Sequence, residues 1–211
     1  MIFSPYQTNT QNDITKLSNT AIERATSHKF LGLVIDEHLT WWAHISHINN
    51  KISRALYTLR QTKNLLTPET LKSLYFALIH SHILYCNIAW GGACPSVMQK
   101  TTTLFKQAIR TIHKAKYNAH TEPLLKKSQL LTLEHLHEQQ IVAFMYDYLN
   151  SKLPSSYNNA FPLVTETRTR TTRSLDIFSV PTPKTKFIEK LPFIQFPKIA
   201  NKHSALINNS N

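Results

Sequence analysis

Apolar residues recur at helical spacing through the middle of the chain. Between residues 40 and 66, Ile45, Ile48, Ile52 and Leu56 fall on one side of a helix, as expected of a helix that faces a core. Thr67 followed by Pro68 is a helix-start signature for the next helix. The pattern predicts further helices at residues 69–85, 96–116, 122–127 and 132–150.

The chain before this helical region has short extended segments instead. Residues 14–17 and 21–24 are separated by three polar residues, which predicts a hairpin. Residues 29–35 form a continuous apolar run that ends at Asp36 and Glu37, which is typical of a buried strand. Together these segments predict an antiparallel sheet of three strands.

The pattern changes again after Leu153. Residues 154–211 hold six of the ten prolines and show no sustained period, which predicts an irregular, partly extended tail. The expected organisation is a disordered lead at 1–13, a β segment at 14–38, a helical domain at 39–153 and the tail at 154–211. The predicted fold is therefore mainly α, with a small N-terminal antiparallel β remnant and a helical bundle.

Charge is the most informative bulk property. Lysine and arginine number 24 against 12 acidic residues, which gives a net charge of +12. A domain with this much positive charge typically binds a polyanion, most often nucleic acid. The charge could also serve solubility or binding to an acidic membrane surface. Only three glycines occur, which excludes glycine-rich phosphate loops.

Cysteine content and hydropathy predict where the protein is found. The two cysteines, Cys86 and Cys94, cannot form a disulfide framework and indicate free thiols in a reducing compartment. We find no signal-peptide pattern and no apolar run of about 20 residues, the length that a membrane helix needs. We therefore expect an intracellular protein, cytoplasmic or nuclear, without a membrane partner.

The basic residues concentrate on two predicted helix faces. His47, Lys51 and Arg54 share the polar side of the first helix. Side chains four residues apart stack on one side of a helix, so a second row is expected in the third helix. That row consists of Lys106, Arg110 and Lys114. Either face could contact phosphates in any sequence, or could simply be solvated.

Two long segments carry a family likeness. KFLGLVIDEHLTWWAHI (residues 29–45) and LTPETLKSLYFALIHSHILYCNIAWGG (residues 66–92) resemble the region behind the palm in reverse transcriptases of jockey-like non-LTR retrotransposons. Residues 146–161 and 172–185 are similar to that family's C-terminal pieces, whereas residues 196–201 keep only the outline of its last segment. The residues that match the family's structural motif are Phe30, Leu31, Gly32, Ile35, Asp36, Trp41, His44, Tyr85 and Trp90.

The resemblance implies a thumb without its catalytic centre. Residues 14–35 would correspond to the primer-grip hairpin and closing palm strand, and residues from Thr40 onward to the thumb that packs against the template–primer. The implied partners are the backbone of RNA or RNA/DNA duplex and the missing palm and fingers of a parent RNA-directed DNA polymerase. A scaffold or decayed remnant with no nucleic-acid role, and a truncated copy of a full polymerase, remain open alternatives.

Catalytic chemistry has no candidate residues. A polymerase palm needs carboxylates that hold two Mg²⁺ ions, which the family places on an adjacent Asp-Asp pair. No two aspartates are adjacent here, and for the Asp36-Glu37 doublet a turn or helix-capping role is favoured. His44 and His47 could share a metal-ligand face, but the second ligand pair of a zinc site is absent. We therefore expect no catalytic residue, metal or cofactor in this chain, and no polymerase activity from it alone.

Overall fold

The computed structural model describes residues 16–17, 20–21, 25–167, 176–189 and 191–208. These residues form a mainly helical fold with a small antiparallel β segment near the N-terminus, which confirms the predicted fold class. The predicted lead at residues 1–13 lies outside the described residues. The chain divides into two compact units, residues 1–131 and residues 132–211. The fifth predicted helix thus groups with the tail and not with the helical domain in which the sequence analysis placed it.

The first unit has four short strands and six helices among its described residues. The strands are β1 (Lys16–Leu17), β2 (Thr20–Ala21), β3 (Ser27–Phe30) and β4 (Leu33–Asp36). The helices are α1 (Trp42–Thr62), α2 (Pro68–Tyr75), α3 (Ser81–Leu84), α4 (Asn87–Trp90), α5 (Pro95–Ile112) and α6 (Thr121–Ser128). A π-helical segment, Phe76–His80, joins α2 to α3.

The β segment corrects the prediction of a three-stranded sheet. The strands form two separate hairpins, in which β1 pairs with β2 and β3 pairs with β4. The apolar run at residues 29–35 is therefore not one buried strand, because the chain changes direction at Leu31 and Gly32. Both turn residues have positive φ, 45° and 84°, the combination that a tight two-residue hairpin requires. Strand β3 is exposed and β4 is only half-buried.

The starts of α2 and of the first helix in the second unit lie where the sequence analysis placed them. The Thr67 hydroxyl accepts a hydrogen bond from the Thr70 amide at 3.4 Å, which caps α2, and Pro68 occupies its first turn. In the second unit, the Thr132 hydroxyl accepts from the His135 amide at 3.2 Å and caps the helix that follows. Both bonds satisfy an amide that has no partner within the first turn.

Helix α5 ends earlier than predicted. Its last residue is Ile112, not Lys116, and Lys114 follows with a left-handed φ of 51°. The Ala115 amide then donates to the Arg110 carbonyl at 2.9 Å, which closes the helix end in a Schellman arrangement. Lys114 therefore lies beyond the helix that was expected to carry it.

The core of the first unit lies between α1, α5 and the segment from α2 to α4. The fully buried side chains of Ile52, Leu71, Ile83 and Trp90 belong to this core. Inside it, the Thr101 hydroxyl donates to the Asn49 Oδ1 at 2.9 Å and joins α5 to α1. A second bond along the same contact, from Arg60 to Gln107 at 2.9 Å, shows that the two helices run in the same direction.

The second unit contains helices that the sequence analysis missed. Its elements are α7 (Leu133–Leu149), a 3-10 turn (Ser155–Tyr157), α8 (Val164–Thr167), α9 (Lys186–Glu189), α10 (Pro192–Lys202) and α11 (Ser204–Asn208). The predicted irregular tail fits residues 155–163 and 176–185, where one isolated bridge joins Leu163 to Phe178. It is wrong for residues 192–208, since α10 packs against α7.

Side-chain hydrogen bonds fix the extended part of this unit. The Asn201 side chain on α10 accepts from the Ile177 and Phe178 amides at 3.0 Å and donates to the Phe178 carbonyl at 2.8 Å. The Tyr148 hydroxyl on α7 bonds to both backbone groups of Phe161. Between α7 and α10, Glu138 accepts from Lys202 at 2.6 Å and from His203 at 3.1 Å.

Candidate nucleic-acid interface

Helix α1 presents three basic side chains on one exposed face. His47, Lys51 and Arg54 are spaced four and three residues apart, so they lie one above the other along the helix. All three are exposed, and their side chains have no hydrogen-bond or ion-pair partner within the part of the chain that the structure describes. We call this group the α1 face. Its donors are free to bind an anion.

The α1 face points away from α5. Asn49 marks the side of α1 that contacts α5, through its bond to Thr101. At 3.6 residues per turn, His47, Lys51 and Arg54 lie about 140° to 160° around the helix from Asn49. No part of α5 therefore covers this face.

The second predicted row, on α5, does not form a comparable face. Lys106 is exposed, but Arg110 is half-buried and its Nε donates to the Ala119 carbonyl at 2.7 Å, where it holds the loop after the helix. Lys114 is exposed beyond the end of α5. The expectation that Lys106, Arg110 and Lys114 stack along one helix is therefore wrong for Lys114, because the helix has already ended.

The two predicted faces do not form one surface. Thr101 marks the side of α5 that contacts α1, and Lys106 and Arg110 lie about 140° to 180° around α5 from it. Since both rows point away from the contact between the two helices, they lie on opposite sides of the pair. One straight duplex cannot contact both rows at once.

The residues of the family motif meet at the junction between the second hairpin and α1. The Asp36 carboxylate accepts hydrogen bonds from the amides of His38 at 3.2 Å, Thr40 at 2.9 Å and Trp41 at 2.9 Å. These amides lead directly into the first turn of α1, where free N–H groups favour a negative charge. Of the two roles predicted for Asp36, the turn role is confirmed, whereas α1 itself has no side-chain cap.

Tyr85 holds the turn of the same hairpin. Its hydroxyl donates to the Leu31 carbonyl, and a Cβ atom added to Gly32 would lie 3.4 Å from its ring. Glycine is favoured at that position for a second reason, its φ of +84°. The indole of Trp90 in turn donates to the Tyr85 carbonyl at 2.9 Å, and Trp90 is fully buried. Phe30 and Ile35, the remaining hairpin residues of the motif, pair with Leu33 and His28.

His44 is the buried centre of this junction. Its Nδ1 accepts from the Val34 amide at 3.3 Å, and its ring packs edge-on against Trp41 and Trp90. Burial of the His44 ring, and then the charges of His47 and Lys51, lower its pKa below the ordinary value. A neutral ring is what the bond from Val34 requires, because Nδ1 can accept only when it carries no proton.

The carboxylates of the described residues do not fit a two-metal polymerase site. Asp36 is used by three backbone amides, and Asp147 lies 3.9 Å from the ammonium group of Lys152. Within the described ranges, no three side chains of the metal-binding types come close enough to hold an ion.

Sequence reasoning missed one basic residue near the α1 face. His82 on α3 is half-buried, and the first cause of its lowered pKa is burial, followed by the charges of Lys51 and His47. His82 lies in an apolar helical run, so the sequence did not indicate that it is close to Lys51 and His47. Only the packing of α3 against α1 brings the residues together.

Three comparisons with known proteins, against protein-family models, curated protein sequences and solved structures, found no match to this chain. None of the described helices combines the length and the apolar character needed to cross a membrane. The α1 face and its surroundings are therefore the features from which a function can be inferred.

Proposed function

We propose that this chain is a non-catalytic, thumb-like part of a reverse transcriptase that binds the backbone of an RNA or RNA/DNA duplex through the α1 face. The observation that carries the proposal is the exposed, unpaired row of His47, Lys51 and Arg54 on the side of α1 away from α5. Its partners would be duplex phosphates and the palm and fingers of the parent polymerase.

Two properties of the face support backbone binding over base reading. Its side chains are cationic or can become so, and they follow a rigid helix in a straight row, which suits regularly spaced phosphates. The chain's net charge of +12 adds an attraction that does not depend on base sequence. Binding of this kind weakens steeply with salt, because each phosphate that the protein neutralises releases counterions.

The test is the affinity of the full chain for a labelled RNA/DNA duplex, measured by fluorescence anisotropy over a range of salt concentrations. The variant K51E/R54E should bind about tenfold or more weakly at low salt. It should also reduce the slope of log affinity against log salt by about 2, since two phosphate contacts are lost.

The α5 row provides a matched control. The variant K106E/K114E makes the same change in net charge at residues outside the α1 face and leaves the structural bond of Arg110 in place. It should keep most of the affinity and the full salt slope. Equal losses in both variants would mean that net charge, and not the α1 face, determines binding, and no binding by the unmodified chain would refute the proposal.

A scaffold role without nucleic acid is the second candidate, favoured by the apolar surface of the hairpin junction. Leu31 is 73% exposed, Trp42 66% and Phe30 57%, an unusual density of large apolar side chains for a free surface. This function predicts that duplex affinity is negligible in every variant. The same anisotropy series therefore separates the two candidates.

A further inference from the structure

The loop between α5 and α6, residues 113–120, carries the most exposed aromatic side chain among the described residues. Tyr117 is 90% exposed, and its hydroxyl has no hydrogen-bond partner within the described ranges. Single exposed aromatic side chains are common on protein surfaces, so exposure alone does not indicate a binding site. Tyr117 differs from such side chains in the way its loop is held and in the charge of its neighbours.

The backbone around Tyr117 is fixed by hydrogen bonds. The Ala119 amide donates to the Lys116 carbonyl at 3.1 Å, which closes a β-turn with Tyr117 at its second position. The Ala119 carbonyl accepts from Nε of Arg110 at 2.7 Å, and the Ala115 amide donates to the Arg110 carbonyl at 2.9 Å. The turn thus presents the Tyr117 ring to solvent from a defined position, and a ligand would not have to order the loop when it binds.

The same loop carries positive charge that no acidic residue of the loop balances. Lys114 and Lys116 are exposed, and neither side chain has a partner in the part of the chain that the structure describes. No acidic residue occurs between positions 70 and 121 of the sequence. The next acid, Glu122, is itself paired with Lys126 at 3.1 Å. The loop therefore combines an aromatic ring with two ammonium groups that are available to an anion.

A single strand of nucleic acid offers both of the chemical groups that this loop can bind. An unpaired base has a flat face that can stack on a tyrosine ring, and the neighbouring phosphates can accept from the lysines. A duplex does not offer that face, because its bases are stacked on one another. An acidic peptide would use the lysines but not the ring. A membrane surface would favour a larger apolar group at the turn than one tyrosine followed by Asn118.

We propose that the loop between α5 and α6 is a second nucleic-acid site, at which Tyr117 stacks on an unpaired base while Lys114 and Lys116 bind the adjacent phosphates of a single strand. Binding at this site does not depend on base sequence, since every base has a face that can stack. The site uses none of the residues of the α1 face. It therefore adds single-strand binding to the proposed duplex binding, and each of the two can fail without the other.

The experiment compares the affinity of the full chain for two labelled RNA strands of about ten nucleotides, one with uracil bases and one without bases, by fluorescence anisotropy. The strand without bases keeps every phosphate, so the ratio of the two affinities measures the contribution of the bases. The unmodified chain should bind the uracil strand about tenfold more tightly. Tyr117→Ala should abolish this preference, whereas Tyr117→Phe, which keeps an aromatic ring, should retain it.

Two matched controls separate the loop from the rest of the surface. Tyr57→Ala removes another exposed tyrosine, on α1, and should leave the preference for bases unchanged. K114E/K116E should reduce the slope of log affinity against log salt by about 1.4 for both strands, the value for two phosphate contacts to a single strand. K51E/R54E makes the same change in net charge outside the loop and should keep most of that slope.

Three results would overturn the inference. The first is equal affinity of the unmodified chain for the two strands, or no binding of either. The second is an equal effect of the loop variants and their controls, which would mean that exposed tyrosines and net charge act without regard to position. The third is binding of anionic lipid vesicles that requires Tyr117, without a preference for the uracil strand, because the partner of the loop would then be a membrane surface.

Discussion

Replacing Asp36 with alanine tests whether the hairpin and α1 are held together by this one carboxylate. The substitution removes the acceptor of three backbone amides, those of His38, Thr40 and Trp41, at distances of 3.2, 2.9 and 2.9 Å. All three amides lie in the short connection between β4 and the first turn of α1. No other described side chain replaces Asp36 there, although the Thr40 hydroxyl still accepts from the Trp42 amide at 3.3 Å.

The loss of stability in Asp36→Ala depends on how well water can replace the carboxylate as a hydrogen-bond acceptor. A hydrogen bond to a charged group contributes about 1.5 to 3 kcal/mol, which would give several kcal/mol for three buried bonds. Asp36 is only half-buried and Thr40 is exposed, so water recovers part of this energy. Loss of a side chain that accepts from backbone amides next to a helix start costs about 1 kcal/mol on its own. We therefore expect Asp36→Ala to lower the free energy of unfolding of the first unit by about 2 kcal/mol.

Tryptophan fluorescence provides an assay that is specific to this unit. All three tryptophans, Trp41, Trp42 and Trp90, belong to residues 1–131, so their emission in urea follows the first unit alone. At about 4 °C per kcal/mol for a unit of this size, the same loss corresponds to a fall in Tm of about 8 °C.

Two further variants make the test selective. Asp36→Asn keeps an oxygen acceptor but loses the charge, and it should lose about half as much stability as Asp36→Ala. Glu122→Gln removes one charge from an exposed ion pair with Lys126 in the same unit and should change stability by less than about 0.5 kcal/mol. If Asp36→Ala unfolds at the same urea concentration as Glu122→Gln, the carboxylate does not hold the junction and our reasoning is wrong.

Two other predictions concern polar contacts within the two units. Thr101→Val leaves the buried Asn49 Oδ1 without its donor, so the urea midpoint of tryptophan emission should fall by the equivalent of about 1 to 3 kcal/mol. In the second unit, burial raises the pKa of Glu138, but its bonds to Lys202 and His203 together lower it by more, so the net pKa lies below its ordinary value. This stabilisation is present above about pH 4.3 and is lost as the pH falls through the lowered pKa. Circular dichroism melts at pH 7 and pH 3 should show that Glu138→Gln flattens this loss, and an unchanged pH response would contradict the assignment.

Helix starts could be predicted because their signals are local. Thr67 with Pro68, and Thr132, carry the side chains that satisfy first-turn amides, and the structure uses both. The apolar spacing that predicted α1 also holds, since Ile45, Ile48 and Ile52 are buried. In each case, the interactions that determine the helix involve only residues that are close in sequence.

Two helix ends and the turn of the second hairpin could not be predicted because the chain has so few glycines. The left-handed position after α5 is occupied by Lys114, the one after α6 by Gln129, and the first turn position of the second hairpin by Leu31. A left-handed conformation costs these residues about 1 kcal/mol, which the surrounding contacts offset. The sequence shows glycine at only one of these reversals, Gly32, so the others carried no signal.

The proline-rich tail misled the sequence analysis for a related reason. Pro192 occupies the first turn of α10, where proline is tolerated, but Pro197 lies inside the same helix. Pro197 is buried together with Phe196 and Ala200. Burial of this apolar side thus offsets the loss of one backbone hydrogen bond, a tertiary effect that local sequence rules do not contain.

The residues that carry the family resemblance differ from the residues of the α1 face. Stability and duplex binding can therefore be tested with separate variants. The polar groups of four motif residues form hydrogen bonds within the hairpin junction: those of Asp36, His44, Tyr85 and Trp90. In contrast, Lys51 and its neighbours on the α1 face bond to no described residue. A chain could therefore keep the motif and lose duplex binding, or the reverse. It follows that Asp36→Ala should lower stability without changing the salt slope of duplex binding by the folded protein, and that K51E/R54E should change the slope at nearly constant stability. If both variants changed both quantities, the α1 face would have to be part of the structural junction, which its position on the exposed side of α1 argues against.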